Sequence, residues 1–309
     1  MPTRYYENEI FKDHVTPPGH PERVDRLKAL EGALDDERFQ MLERLETKAA
    51  EAEAVLSCHT DALLEKVRLE IPETGMNRID GDTVASPKSL DAALHAIGGA
   101  MGAVDAVFAG ECDNAFVAAR PPGHHAEKDT AMGFCLFNTV AIAARHAQRS
   151  QGAERVAIVD YDVHHGNGTQ DIFWDDASVL YCSTHQMPLY PGSGSRYQEG
   201  DHGTICNAPL SPGNAGEHFR EAMKSRVLPA IDDFSPDLIL ISAGFDAHWR
   251  DPLAELNFVE DDYDWATGRL MELADKHCEN RIVSSLEGGY DLEGLAKSAA
   301  AHIERLMTG

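Results

Sequence analysis

The sequence is poor in basic residues. Its 27 lysines and arginines, only nine of them lysine, stand against 52 acids, for a formal charge of −25 at neutral pH. Nucleic acids and anionic membranes need a basic footprint, so no nucleic acid and no membrane is expected as a direct partner. A negative field would steer a cationic substrate inward; solubility and salt adaptation explain an acidic surface more simply and are the favoured reading, with steering an added effect. The six cysteines (Cys58, Cys112, Cys135, Cys182, Cys206 and Cys278) form no C-x-x-C pair and no zinc-finger spacing. Their mostly apolar neighbours fit reduced thiols in a cytoplasmic protein. No apolar run near the N-terminus resembles a signal peptide and no segment approaches membrane-span length, which predicts a soluble intracellular chain. Repeats, low-complexity runs and interdomain linkers are missing as well, so residues 1–309 read as one domain. At this size roughly 75% of the unfolded chain's surface can be buried without staples.

What is present is chemistry gathered where strands end. Val156–Val159 reads as a short buried strand, closed by the turn residues Gly166 and Gly168. In an extended chain Asp160, Asp162 and His164 fall on one side, at the carboxyl end where open α/β sheets hold their ligands. Two carboxylates and an imidazole suit a divalent metal such as Zn²⁺; a polar strand exit with a solvated histidine is the competing reading. Three other junctions tip the balance. Ala115–Ala119 runs into Arg120-Pro-Pro-Gly, a stiff turn that delivers His124 and His125. Leu238–Ser242 delivers Asp246, and Ile282–Leu286 delivers Glu287, two glycines and Tyr290. Asp162, His164 and Asp246 would leave a coordination position open, as catalytic sites do. A rim histidine would move the proton, and Tyr290 would donate to an oxyanion. The sum is metal-assisted amide hydrolysis.

Strands and helices alternate, which predicts a mostly parallel sheet with helices on both faces. Residues 1–22 read as irregular. A helix is predicted over 22–35, with Arg23 and Arg26 near its start, where a surface ion pair is the favoured role and a buried functional arginine the other. A strand near 41–45 and a short helix follow. Residues 70–86 form a loop that could rim a pocket, with Asp80 and Asp82 either solvated or touching a substrate amine or amide. Ser86 and Pro87 open a helix as N-cap and first residue, turning Leu90, Leu94, Ile97, Met101, Val104 and Val107 inward. Helices are expected over 138–150, 217–231, 260–278 and 291–307, a strand over 179–183, and a functional loop over 185–214.

Six segments also carry a family resemblance: HPER at 20–23, RPPGHHA at 120–126, GFCLFN at 133–138, DYDVHHGNGTQ at 160–170, SAGFDAHWRDP at 242–252 and EGGY at 287–290. Together the chain resembles the arginase/deacetylase superfamily, in particular class II histone deacetylases and bacterial acetylpolyamine amidohydrolases. The resemblance implies an α/β fold with an eight-stranded, mostly parallel sheet and zinc-dependent release of acetate from an N-acetylated amine, either acetyl-lysine or an acetylpolyamine. It implies Zn²⁺ (Fe²⁺ as the alternative) on Asp162, His164 and Asp246, and an oxyanion donor in Tyr290. It further implies a general base and acid in His125, and an electrostatic partner in His124 with Asp160 behind it. Gly133, Phe134 and Tyr190 would wall a narrow tunnel, with Asp82 and Leu253 as further substrate contacts. Structural K⁺ is implied at Asp160, Asp162, His164, Ser183 and Thr184, and again at Phe173, Asp176 and Val179.

Two positions depart from branches of that family. Asn167 replaces an acid of class I members, so the partner of His125 is neutral, which favours a base-competent imidazole. Leu253 stands where specialised polyamine deacetylases carry a glutamate, so that device for polyamine selectivity is missing. An acyl-group binding module without turnover is the alternative from another class, although such proteins usually lose the tyrosine or a ligand. An arginase-like ureohydrolase would need more acidic ligands. A homo-oligomer stays open.

Overall fold

A computed structural model describes residues 2–309. Its centre is an eight-stranded sheet built from β1 (Thr3–Glu7), β2 (Glu43–Glu46), β5 (Asn114–Val117), β6 (Val156–Asp160), β7 (Val179–Gln186), β8 (Ile205–Leu210), β9 (Leu238–Ala243) and β10 (Ile282–Leu286). A two-residue antiparallel hairpin, β3 (Asn77–Arg78) with β4 (Val84–Ala85), lies apart. The sheet order is β2-β1-β5-β10-β9-β6-β7-β8, and every neighbouring pair in it is parallel. The central strands are buried throughout, as unbroken runs such as Leu238–Ala243 require when helices cover both faces. Adjacent residues of β5 show the two faces. Phe116 packs against His302 of the helix Leu292–Thr308, and Val117 lies against Gly99 of the helix Ser89–Phe108.

The four strands predicted to carry chemistry, β5, β10, β9 and β6, are consecutive in this order. Their carboxyl ends therefore form one continuous edge at the middle of the sheet, about 4.8 Å from strand to strand. That is the element-level reason four distant segments meet.

Several expectations need correction. Of the stretch 1–22, residue 1 lies outside the described residues and the rest is not irregular throughout: β1 pairs with β2 on one side and β5 on the other, and a one-turn helix spans Ile10–Asp13. The 185–214 stretch contains the edge strand β8, whose Pro209 is tolerated where one side of the ladder is open. The long helix starts at Ser89, not at Pro87, because the Ser86 hydroxyl takes the Val15 N–H instead of capping, while the Ser86 N–H donates to Ser89 Oγ. Of its predicted inward residues, Ile97, Val104 and Val107 are buried; Leu90, Leu94 and Met101 are half-buried against a smaller cluster. That helix, Ser89–Phe108, is also long and apolar enough to cross a membrane by length and composition, contrary to expectation; more than half of it is buried inside the fold. The predicted 217–231 helix runs from Gly216 to Phe234, with a π-helical turn at Met223–Val227.

The helix expected over 22–35 covers Asp25–Ala33, and its arginines divide. Arg23 is exposed near Asp25. Arg26 is fully buried, pairs with Glu22, and donates to the carbonyls of Gly289 and Glu287. The favoured surface ion pair is thus wrong for Arg26. Arg120 joins the same buried carboxylate of Glu22 and also donates to the carbonyls of Phe11 and His14. Two guanidiniums on one carboxylate, with carbonyls taking the remaining donors, is how a buried charge cluster is satisfied.

Candidate active site

The loop after β6 brings Asp162 and His164 to Asp246 from the loop after β9. Each offers one ligand atom, and these atoms lie within 4.8 Å of one another. All three residues are buried. The His164 Nδ1 stands 3.1 Å from Asp162 Oδ1 and 3.1 Å from Asp246 Oδ2. Backbone groups aim the carboxylates: Gly288 N–H donates to Asp162 Oδ2 at 2.8 Å, and Val163 N–H to Asp246 Oδ1 at 2.8 Å. A Cβ on Gly288 would overlap both carboxylates, so only glycine allows β10's exit loop this close.

The donor set fits a divalent cation. Burial first, and the neighbouring charge of Asp162 second, push the Asp246 carboxyl up to about 7. Burial opposes a charge on His164, but its bonds to Asp162 and Asp246 outweigh that and raise it to about 10. A cation would relieve the carboxylate repulsion and compete with the proton for the same Nδ1, as imidazole ligands require. Two carboxylates and one imidazole are zinc-type ligands.

The two histidines after β5 are held differently. His124 Nδ1 is 2.9 Å from Asp160 Oδ2, which also accepts from the Tyr181 hydroxyl. Burial disfavours its charge, yet Asp160 and Asp162 together lift it well above the usual imidazole range. His125 Nδ1 is 2.7 Å from Asn167 Oδ1. Burial, then the positive neighbours His124 and His164, drive it well below that range, so it is neutral. Adjacent imidazoles pushed in opposite directions are the mark of divided acid and base duties. Glu287 Oε2 accepts the N–H groups of Gly123 and His124, at 2.6 and 3.2 Å, which fixes the turn that carries both rings.

Above these groups lies a cavity of about 270 Å³ lined by Asp82, His125, Gly133, Phe134, His164, Leu189, Tyr190, Leu253 and Tyr290. All five substrate contacts expected from the sequence are among them. Phe134 stands edge-on to Tyr290 with centroids 5.9 Å apart, and Tyr190 edge-on to His125 at 5.2 Å. Gly133 (φ +57°) crosses so close to His125 that a Cβ would strike the ring. Burial, then the charges of Asp246 and Asp162, hold the Tyr290 phenol well above its usual value, so it stays a donor. Asp80 sits behind Asp82, its carboxylate accepting the N–H groups of Asp82 and Thr83.

Sequence reasoning missed Leu189, which nothing local marks, and how Tyr290 and its neighbour Phe134 are held. Asp251 accepts the Tyr290 N–H at 2.7 Å; the Arg26 guanidinium lies 5.2 Å from the Tyr290 ring centroid; His20 packs edge-on against Phe134. The HPER and RDP segments that supply His20 and Asp251 were visible as motifs, but not their target; Arg26 lies outside both. At the expected cation positions, Asp160 pairs in register with Ser183 across β6 and β7, and the Thr184 hydroxyl is buried with no hydrogen-bond partner among the described residues. Asp176 is held by Arg145 and Ser178, and its N–H donates to the Phe173 carbonyl. Val179, at the start of β7, pairs in register with Val156.

Residues 20–306 match the family described as the histone deacetylase domain. The chain belongs to the histone deacetylase family. It is 41% identical over 318 residues to a probable deacetylase of Archaeoglobus fulgidus, covering 100% of this chain and 87% of that protein. It is 37% identical over 300 residues to a histone deacetylase-like amidohydrolase of Pseudomonas aeruginosa, covering 94% and 79%. The crystal structure of the HDA15 HD domain superposes with a TM-score of 0.91 at 36% identity, covering 99% of this chain and 88% of that one. The arginase/deacetylase fold of a single domain is therefore the fold of this chain, and these two relatives are a deacetylase and an amidohydrolase by name. Family membership makes the chain an enzyme of the hydrolase type.

Proposed function

We propose that this family member hydrolyses N-acetylated primary amines carried on an alkyl chain, acetyl-lysine in a peptide or an acetylpolyamine, with Zn²⁺ as its metal and Fe²⁺ as the alternative. The observation that carries the reading is convergence: a metal-competent triad, two oppositely shifted histidines and a tyrosine donor meet at one narrow cavity. Asp162, His164 and Asp246 would hold the metal, which supplies Lewis acidity to the amide carbonyl and to water.

The chain's own groups do the rest. Phe134, Tyr190, Leu189 and Leu253 enclose the alkyl stem and exclude water from the scissile amide. Neutral His125 accepts the proton of the attacking water and returns it to the leaving nitrogen, so that amide and water become acetate and amine. His124, charged against Asp160, places a fixed positive charge beside the reacting carbonyl. Tyr290 donates its phenolic proton to the oxygen on which negative charge develops. At the mouth, Asp82 with Asp80 behind it suits a substrate bearing a further ammonium or amide, and the acidic surface adds to that attraction. K⁺ at the two positions named, and assembly with further copies, belong to the same proposal.

The deciding experiment assays zinc-loaded protein with a fluorogenic acetyl-lysine peptide beside N-acetylputrescine and N-acetylspermidine. Acetate release from at least one, abolished by a chelator and restored by Zn²⁺ or Fe²⁺, is the expected result. No acetate from any of the three at full metal occupancy would overturn the reading.

A further inference from the structure

Asn167, the neutral partner of His125, cannot set its own direction. An amide presents an oxygen acceptor on one side and a nitrogen donor on the other, and either could face the imidazole. The structure assigns that choice to Glu127: we propose that this residue fixes the Asn167 amide and, through it, which nitrogen of His125 carries the proton. The inference rests on the role of His125 given above and adds a positioning residue behind it.

Three contacts carry the argument. Asn167 Nδ2 donates to Glu127 Oε1 at 2.6 Å, far shorter than its other approaches, to the His125 carbonyl and to Met132 Sδ, both at 3.4 Å. A carboxylate can only accept. Were the amide reversed, Oδ1 would meet Glu127 acceptor to acceptor, and Nδ2 would face His125 Nδ1 at the present 2.7 Å. His125 would then have to accept at Nδ1 and carry its proton on Nε2, leaving no lone pair on that nitrogen to receive a proton from water. With Glu127 in place, Oδ1 faces the ring, His125 donates from Nδ1, and Nε2 is free to act as base.

Glu127 is itself anchored. Its N–H donates to the Thr130 carbonyl at 2.9 Å, and its carbonyl accepts from His59 Nδ1 at 2.8 Å. His59 Nε2 in turn accepts the Asn138 N–H, so that ring is a fixed one-proton strut. The carboxylate faces a second, polar cavity of about 380 Å³ on the far side of Asn167, lined also by Gln170, Asp171 and Ser193. It therefore works from outside the substrate cavity, without touching substrate or metal ligands.

The test uses the metal-loaded 309-residue chain labelled with ¹⁵N, reading the His125 tautomer by NMR alongside kcat and KM. Glu127→Lys presents donors only and should reverse the amide. His125 is then expected to move to the Nε2–H form, with kcat falling roughly 100-fold, the scale of lost general base catalysis, and KM changing little. Glu127→Gln keeps an acceptor and is expected to hold both tautomer and rate within about threefold. Adding Asn167→Asp to Glu127→Lys places a carboxylate directly on His125 Nδ1 and a cation behind it, and should restore the Nδ1–H form and most of kcat. A merely structural role predicts no such rescue. If Glu127→Lys folds poorly, Glu127→Met decides, with a mixed tautomer and an intermediate loss expected. Retention of the Nδ1–H form and of kcat in the lysine variant, or in the methionine variant if only that one folds, would overturn the proposal. The NMR reading is independent of turnover, so a wrong substrate assignment leaves this test standing.

Discussion

Tyr290 shows what one side chain is asked to do. Its ring is packed between Phe134 and the Arg26 guanidinium, its N–H is held by Asp251, and its hydroxyl is kept protonated by burial beside two carboxylates. Tyr290→Phe keeps every one of those packing contacts and deletes only the donor. Turnover is expected to fall about 100- to 1,000-fold, the usual cost of one oxyanion donor, with zinc content unchanged by metal analysis. Unaltered turnover would remove Tyr290 from the oxyanion role. The histidines allow a second residue-level comparison. His125→Ala removes the neutral ring beside the cavity and is expected to abolish activity, whereas His124→Ala removes charge but no proton carrier and should leave a measurable remainder. The reverse ranking in a steady-state assay would exchange their roles.

At the scale of elements, the site depends on loops passing closer than a side chain allows. The turn after β10 reaches the metal ligands because Gly288 has no Cβ to meet Asp162 and Asp246, and its N–H orients one of them. Gly288→Ala should therefore displace the carboxylates without touching the sheet. The expected outcome is a loss of about 10- to 100-fold in zinc affinity, as for other groups that orient metal ligands, measured by competition with a chromogenic chelator. Unchanged affinity would mean that the loop relaxes freely and does not hold the ligands. This scale also marks where the sequence was legible. Segments such as Val156–Asp160 and Leu238–Ala243 announce themselves because unbroken apolar runs end abruptly in glycine, acid or histidine. β1 does not: Thr-Arg-Tyr-Tyr-Glu has no aliphatic run, and it becomes a strand because β2 and β5 offer it two open ladders. β8 was hidden for the opposite reason, its six residues lying inside a Gly- and Pro-rich stretch with Asn207 buried among them. Arg26 was misjudged because an arginine at a helix start looks solvent-bound until the carbonyls of Glu287 and Gly289 arrive from the far end of the chain. Candidate catalytic residues were readable as types at strand exits; the residues that hold them, Asp251 and Glu127 among them, were readable only in space.

The whole molecule carries histidines that fold without charge, and these should govern its behaviour in acid. His302 is buried where Leu292–Thr308 crosses the sheet, and burial alone drives it down to about 3. Its hydrogen bonds suit the neutral form that burial imposes. The Thr267 hydroxyl spends its proton on the Tyr263 carbonyl, so it accepts from His302 Nδ1 at 2.7 Å, which leaves Nε2 to accept from Ser284 at 2.9 Å. His59 and His185 are likewise lowered, each to about 4 and chiefly by burial. In the unfolded chain these rings protonate near the ordinary imidazole value of about 6.5. Between that value and the folded one the unfolded state binds more protons, so stability falls as pH falls, by about 1.4 kcal/mol per unit for each such histidine, and levels off below the folded value. Above about 6.5 all are neutral in both states and add no slope. Other groups titrate in the same range, so the informative quantity is a difference. His302→Asn should be less stable than the parent at pH 7, because it fills the site and its bonds imperfectly, but it has no proton to take up on unfolding. Denaturant melts of both proteins from pH 7 to pH 4 are expected to converge, the gap narrowing by about 1.4 kcal/mol per unit below pH 6.5. Parallel curves would show that His302 is protonated in the fold, with Nε2 donating to Ser284 instead of accepting from it.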